Sequence, residues 1–429
     1  MIKVMQSDDL ALSGLLYRRE IDKKEISLQV AQIVEAVCSD GDKALIRFTK
    51  EFDQADLTAE QLKVTEAEID EAYRLIDPKV LESLRLARDR IQAFHQKQRT
   101  DSWFEPDAEG TVMGQMVRPL FRVGSYVPGG TAAYPSSVLM NIVPAKVAGV
   151  EQVVMVTPPD KDGKVNPYTL VAAKEAGATE IYKVGGAQAI AALAYGTQTI
   201  SPVDKITGPG NIYVTLAKQR GSGTVDIDML AGPSEVLVIA DSNAKPAYIA
   251  ADMLSQAEHD PLAASVLLTP DCSLAKKVQQ ELMQQVESLP RKKVAKHSLS
   301  EYGTIVITKD LDEAFQLANR FAPEHLELLV EEPFTWVGRV QNAGSIFMGA
   351  YSPEPVGDYL AGPNHVLPTG GTAKFYSGLN VDAFIKKSTV IAFSKTTLER
   401  LGEHVIRLAE VEGLDGHANA VRLRLSGKE

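Results

Sequence analysis

Over roughly the first hundred residues the apolar positions recur at helical intervals. Val80, Leu84, Ala87, Ile91 and Phe94 follow at alternating steps of four and three, which makes one apolar stripe on a helix. His95 falls beside that stripe and is expected as a solvated surface histidine. From about residue 111 the pattern changes to short β-rich runs: QVVMV (152–156), EIYKV (180–184), EVLVIA (235–240), SVLLT (265–269) and TIVIT (304–308). Helical patterns separate them. Asn166-Pro167 supplies an N-cap and a proline at the first helical position before YTLVAAKEAGA, Gly177 can close that helix, and AQAIAALAY is bracketed by Gly186 and Gly196. Continuous apolar strands separated by helices require a parallel sheet covered on both faces. The chain is therefore expected to be an α/β protein with two Rossmann-like parallel-sheet units, because the strands before and after 235 are too many for one. Beyond 380 the pattern is polar and helical again, and such a tail must pack on the body or on another subunit. No internal repeat or low-complexity segment interrupts it.

Composition narrows the function. With 429 residues the chain exceeds one simple core. Its 45 basic residues against 56 acidic ones leave a net charge of −11, which makes nucleic acid an unsuitable partner. Two cysteines exclude a disulfide framework and a Cys-rich zinc module; Cys38, in a helical pattern, and Cys272, after a strand, are expected to be buried inert thiols. The opening residues carry no signal-peptide h-region, and no run reaches the ~20 apolar residues of a membrane span, so a cytoplasmic address without membrane contact is expected.

Candidate chemistry lies in glycine-rich and histidine-bearing stretches. YVPGG (126–130), VGGAQ (184–188), TGPGN (207–211) and AGPSE (231–235) each follow a strand-like run, where an open α/β sheet places its ligand crevice. Any one serves equally as a tight turn, and GPGNIY has only two glycines of a dinucleotide fingerprint; four together favour a nucleotide or phosphate-bearing ligand. In SQAEHD (255–260), Gln256 and His259 share a helix face and can offer an amide oxygen and an imidazole to one metal, although a satisfied polar face has the same spacing. Pro323 puts Glu324 and His325 at a chain bend, and a carboxylate beside an imidazole suits proton transfer near neutral pH; the alternative, a solvated acid beside a structural histidine, is the commoner arrangement for the motif taken alone. Asp358 and His365 flank a Gly-Pro loop, and EGLDGH pairs Glu412 with His417 in the tail.

Together YVPGG, VGGAQAIAALAYGT, ITGPGN, LAGPSEVLVIAD, LSQAEHD, APEHLEL, YSPEPVGDYLAGPNHVLPT and EGLDGH resemble the histidinol dehydrogenase family, in order and spacing over nearly the whole chain. The resemblance implies one zinc ion per subunit, bound by Gln256, His259, Asp358 and His417. It implies that Ser234, Gln256, His259, His325, Asp358, Glu412 and His417 contact the substrate L-histidinol, and that Tyr126, Gln188 and Asn211 line an NAD site. It further implies a homodimer with composite active sites, in which the tail brings His417 and Glu412 in trans. The domains expected on this basis are a helical segment over 1–25, a discontinuous α/β domain (26–125 and 235–380) with the zinc and catalytic residues, an NAD-binding domain (126–234), and a tail (381–429) that packs on the partner subunit.

The implied reaction oxidises an alcohol to a carboxylate in two hydride transfers, with His325 as base, Glu324 activating water and His365 in support. Neither cysteine lies beside a base, so oxidation is expected to pass through the aldehyde hydrate rather than a thiol adduct. Rival readings are a zinc- and NAD-dependent dehydrogenase of the same scaffold acting on another small alcohol such as a sulfonated diol, a zinc hydrolase using Glu324, and a non-catalytic NAD-binding regulator.

Overall fold

The apolar runs after residue 230 line up as neighbours in one parallel sheet. Its six strands, in the order β1-β11-β10-β9-β12-β13, are β1 (Lys3–Gln6), β9 (Glu235–Ala240), β10 (Ala264–Thr269), β11 (Thr304–Ile307), β12 (His325–Leu329) and β13 (Ser345–Met348). Period-two alternation sends the strand side chains to two different cores. Val236, Val238 and Ala240 meet helices Pro246–Ala257, Cys272–Gln285 and Lys292–Glu301, whereas Leu237 and Ile239 meet helix Leu311–Phe321.

A second parallel sheet has the order β6-β5-β4-β7-β8, with β4 (Arg122–Tyr126), β5 (Gln152–Thr157), β6 (Glu180–Lys183), β7 (Lys205–Thr207) and β8 (Asp226–Ile227). Val153 and Met155 face helices Pro135–Ala148 and Pro167–Ala176; Val154 and Val156 face helices Gly186–Tyr195 and Ile212–Gly221. The Asn166 side chain accepts from Tyr168 N at 2.9 Å, and Gly177 closes that helix at φ 91°. The chain steps outward from β4 through β5 to β6, then returns to the other side of β4. The carboxyl ends of β4 and β7 therefore flank a topological switch point.

This is a computed structural model that describes residues 2–9, 24–129 and 133–427. Much of the helical segment expected over 1–25 lies outside the described residues; what is described includes strand β1. Both parallel sheets belong to one compact unit, residues 1–98 and 120–384. Helices Lys24–Asp40, Glu66–Leu75 and Pro78–Gln96 bury their apolar faces among the helices of the five-stranded sheet. That placement departs from the grouping of 26–125 with 235–380.

At three residues burial is the reverse of that expected. His95 is fully buried: it lies one helical turn beyond Ile91 on the buried Leu84–Ala87–Ile91 stripe, with its Nδ1 2.8 Å from Ile91 O, and burial holds its pKa below the usual value. Cys38 and Cys272 are both exposed rather than buried. Cys38 sits one residue off the Val30–Ile33–Val34–Val37 stripe, and Cys272 occupies the first helical position of a helix that buries Leu274, Ala275, Val278 and Leu282.

The second compact unit comprises 99–119 and 385–429. Its antiparallel sheet runs β14-β3-β2, with β2 (Trp103–Pro106), β3 (Val112–Pro119) and β14 (Ile385–Ala392). The tail expected to be helical thus begins as a strand, because Ile385, Thr389, Val390 and Ile391 find a partner in β3 that is remote in sequence. Helices Lys395–Val411 and Asp415–Ser426 follow and pack through Ile406, Ala409 and Ala418. Among the described residues no helix is long and apolar enough to cross a membrane.

Candidate active site

All four glycine-rich stretches follow strands of the five-stranded sheet. Tyr126 ends β4, and its hydroxyl accepts from Gly186 N at 3.2 Å across the sheet edge. Its ring is packed in the core and burial pushes its pKa up to about 12, as the packed-aromatic reading requires. Gly208, straight after β7, has φ 112°, and a Cβ there would run into the Tyr126 carbonyl oxygen. Only glycine lets the two chain segments approach this closely. Lys218 Nζ donates to Gly208 O at 3.0 Å and pairs with Asp228, whose Oδ2 accepts from Gly208 N at 2.8 Å. A buried ion pair thus holds the TGPGN turn. Asn211 caps the next helix, its Oδ1 accepting from Tyr213 N and Val214 N, which leaves the amide NH2 for a ligand. Gln188, in the first turn of helix Gly186–Tyr195, has a buried Oε1 with no hydrogen-bond partner.

The fourth stretch, AGPSE, leads from β8 directly into β9, so Ser234 stands at the amino edge of the six-stranded sheet. Glu324 and His325 reach the same edge. Helix Leu311–Phe321 stops, Ala322 turns the chain at φ 53°, and His325 opens β12 beside Val236. The expected bend is present. His325 is buried, and its Nδ1 lies 2.9 Å from Glu235 O. A carbonyl oxygen can only accept, so the proton of the neutral ring sits on Nδ1 and the lone pair on Nε2. Burial lowers the His325 pKa to about 4, opposed by Asp358 and aided by His365 and His259, which keeps the ring in its basic form. Glu324 Oε2 accepts from Glu235 N at 2.8 Å and lies 3.6 Å from His325 Nδ1.

Asp358 lies on the short helix Glu354–Tyr359. His365 returns to it after the Gly-Pro loop: Nδ1 is 3.0 Å from Asp358 O and Nε2 is 3.3 Å from Ser137 Oγ. Burial lowers the His365 pKa too. Gln256 is in the last turn of helix Pro246–Ala257, fully buried, with neither amide atom hydrogen-bonded. His259 follows just past the helix end, exposed, and is close enough to lower the pKa of both His325 and His365. Glu412 and His417 are exposed on the second unit.

One residue of this site was not singled out from the sequence. Glu354 is buried, and His325, Glu354 and Asp358 each offer a metal-ligand atom, all within 4.8 Å of one another. Glu354 Oε1 is 3.9 Å from His325 Nε2. Beneath it lie Glu327 and Asp252. Burial pushes Glu354 up to about 8, Asp252 to about 6, and Glu327 well above the usual carboxyl range. The available signal was the i,i+4 spacing of Glu354 and Asp358 and a lone acid, Glu327, inside the apolar strand HLELL.

A neutral buried imidazole, a backbone-held carboxylate and an edge of glycine turns at a switch point together suit proton abstraction coupled to a nucleotide-borne redox step. Comparison with known proteins agrees. The family model described as histidinol dehydrogenase matches residues 16–425. The chain is 58% identical to the histidinol dehydrogenase of Heliobacterium mobile over 425 residues, covering 99% of this chain and 100% of that protein. It is 57% identical to that of Moorella thermoacetica, covering 96% of each. The crystal structure of histidinol dehydrogenase from Elizabethkingia anophelis superposes with a TM-score of 0.93 at 38% identity, covering 99% of this chain and 98% of that one.

Proposed function

Because the chain belongs to the histidinol dehydrogenase family, whose NAD-linked reaction oxidises L-histidinol to L-histidine through L-histidinal as the last step of histidine biosynthesis, we propose how its residues divide that work. His325 is the base: Nε2 takes the alcohol proton, and later a proton of the aldehyde hydrate, while hydride leaves the same carbon. The observation that carries this reading is the bond from Nδ1 to Glu235 O, which turns the lone pair of Nε2 toward Asp358 and Glu354. Glu324, its carboxylate aimed by Glu235 N, activates the water that hydrates the aldehyde. His365, held between Asp358 O and Ser137 Oγ, supports proton transfer. Tyr126, Gln188 and Asn211 would hold NAD, which would supply the hydride acceptor for both oxidations, two NAD per substrate.

Gln256, His259 and Asp358 fit a zinc ion. Both amide atoms of Gln256 are buried and unpartnered, and a mixed oxygen and nitrogen donor set suits zinc better than calcium or magnesium. The partner's His417 is the fourth donor in this reading. Bound zinc would supply a fixed positive centre for the amino and imidazole nitrogens of the substrate. Ser234, Gln256, His259, His325 and Asp358 contact the substrate, with Glu412 of the partner subunit and the partner's His417 closing the pocket. The working form is then a homodimer. Two free, exposed thiols are consistent with a reducing, cytoplasmic location.

The test is NADH formed per L-histidinol consumed, with added zinc and again after chelation. Two NADH per substrate, abolished by the chelator and restored by zinc, support the assignment. A ratio of one means the aldehyde escapes, which would overturn the roles given to Glu324 and His325.

A further inference from the structure

Glu354 has no part in the chemistry described above, yet it is 1% exposed at the heart of the site. Three contacts define its position. Ser255 Oγ donates to Glu354 Oε2 at 3.1 Å, and Ser255 precedes Gln256 on helix Pro246–Ala257. Glu354 N donates to Glu327 Oε1 at 2.8 Å, which ties the start of helix Glu354–Tyr359 to β12. The Glu354 carboxyl lies within 4.8 Å of the ligand atoms of Asp358 and His325. One side chain therefore touches the helix that carries Gln256, the helix that carries Asp358, and the base.

Gln256 is fully buried with an unpartnered amide, and Asp358 sits on a helix of only 6 residues, less than two turns. Such a short helix does not hold its own orientation against thermal motion, and needs an outside tether. We propose that Glu354 is a positioning residue for the metal: it clamps the Asp358 helix against the Gln256 helix, so that the two donors converge on one ion. This rests on the zinc reading given under Proposed function. Groups that orient metal ligands from behind typically change metal affinity 10–100-fold when removed.

The experiment uses full-length protein stripped of metal and titrated with zinc against a chromophoric chelator, followed by cobalt substitution to record the visible ligand-field bands. Glu354→Ala is expected to weaken zinc binding by roughly 10–100-fold and to alter the cobalt spectrum. Ser255→Ala, which removes only the tether, shifts affinity in the same direction by a smaller factor. Glu354→Gln keeps the shape and the contact with Ser255, and recovers most of the wild-type affinity. Unchanged zinc affinity in both Glu354→Ala and Ser255→Ala overturns the inference alone. So does a Glu354→Gln variant as weak as Glu354→Ala while Ser255→Ala is unaffected, because Glu354 is then itself a ligand. A wild-type protein that binds no zinc overturns the metal reading and this inference with it.

Discussion

Replacing His325 by asparagine isolates the role of one nitrogen. The Asn amide NH2 can take the place of Nδ1–H and still donate to Glu235 O, which is 2.9 Å from Nδ1 in the native protein. What disappears is Nε2, with its lone pair and its position 3.9 Å from Glu354 Oε1. The buried carbonyl keeps a donor, so the fold loses only the packing of part of a ring, about 1–2 kcal/mol. Turnover should fall far more. Loss of a general base costs roughly 10²–10⁴, or about 2.7–5.5 kcal/mol of barrier. The assay follows NADH with L-histidinol and separately with L-histidinal, alongside thermal melts and zinc content. His325→Asn should be slow in both half-reactions, with normal zinc content and a modest drop in melting temperature. His325→Gln places an NH2 near the Nε2 position but leaves Glu235 O without its donor, so it should be both slow and less stable. An Asn variant that retained more than a tenth of wild-type turnover would show that the base is another group.

Three further outcomes are expected. Replacing Cys38 and Cys272 together with alanine should leave two NADH per L-histidinol, since both thiols are exposed on helices outside the site; loss of the second NADH alone would demand a thiol adduct. Lys218→Met strands the buried Asp228 carboxylate and should cost about 3–5 kcal/mol in denaturant unfolding while raising KM for NAD more than for L-histidinol, because the TGPGN turn loses a tether. Equal changes in the two KM values would argue against the tether. Asp53 ends a turn of π-helix with a buried, unpartnered Oδ2, and burial raises its pKa from 3.8 to about 6. The folded protein then binds this proton more tightly than the unfolded chain, so stability is lost as pH rises from about 4 through 6. Asp53→Asn removes the loss, a gain at pH 7.5 of about 1–2 kcal/mol after allowing for solvent screening. Thermal melts of both proteins at pH 4 and pH 7.5 should show the gain only at the higher pH.

Strands, helices and the family could all be read from local pattern. Apolar runs such as EVLVIA belong in the interior of a parallel sheet, the Asn166-Pro167 start and the Gly177 stop bracket a helix by backbone chemistry alone, and glycine turns after strands mark a crevice. These features depend on neighbours a few residues apart, so a linear chain carries them. Several candidate site residues stood out for a related reason: they sit in short motifs with a special backbone, such as the Pro323 bend before Glu324 and His325. What stayed hidden required partners far away in sequence. His95 is buried because its place on the stripe meets other elements, and IKKSTVIA is a strand because β3 is there to pair with it. Glu354 looks like an ordinary surface acid until folding sets it beside Ser255, His325 and Asp358. Which lone pair of His325 faces the site was likewise decided by a single carbonyl, that of Glu235, on the neighbouring strand. Local spacing chooses an element; only long-range contacts choose what its side chains meet.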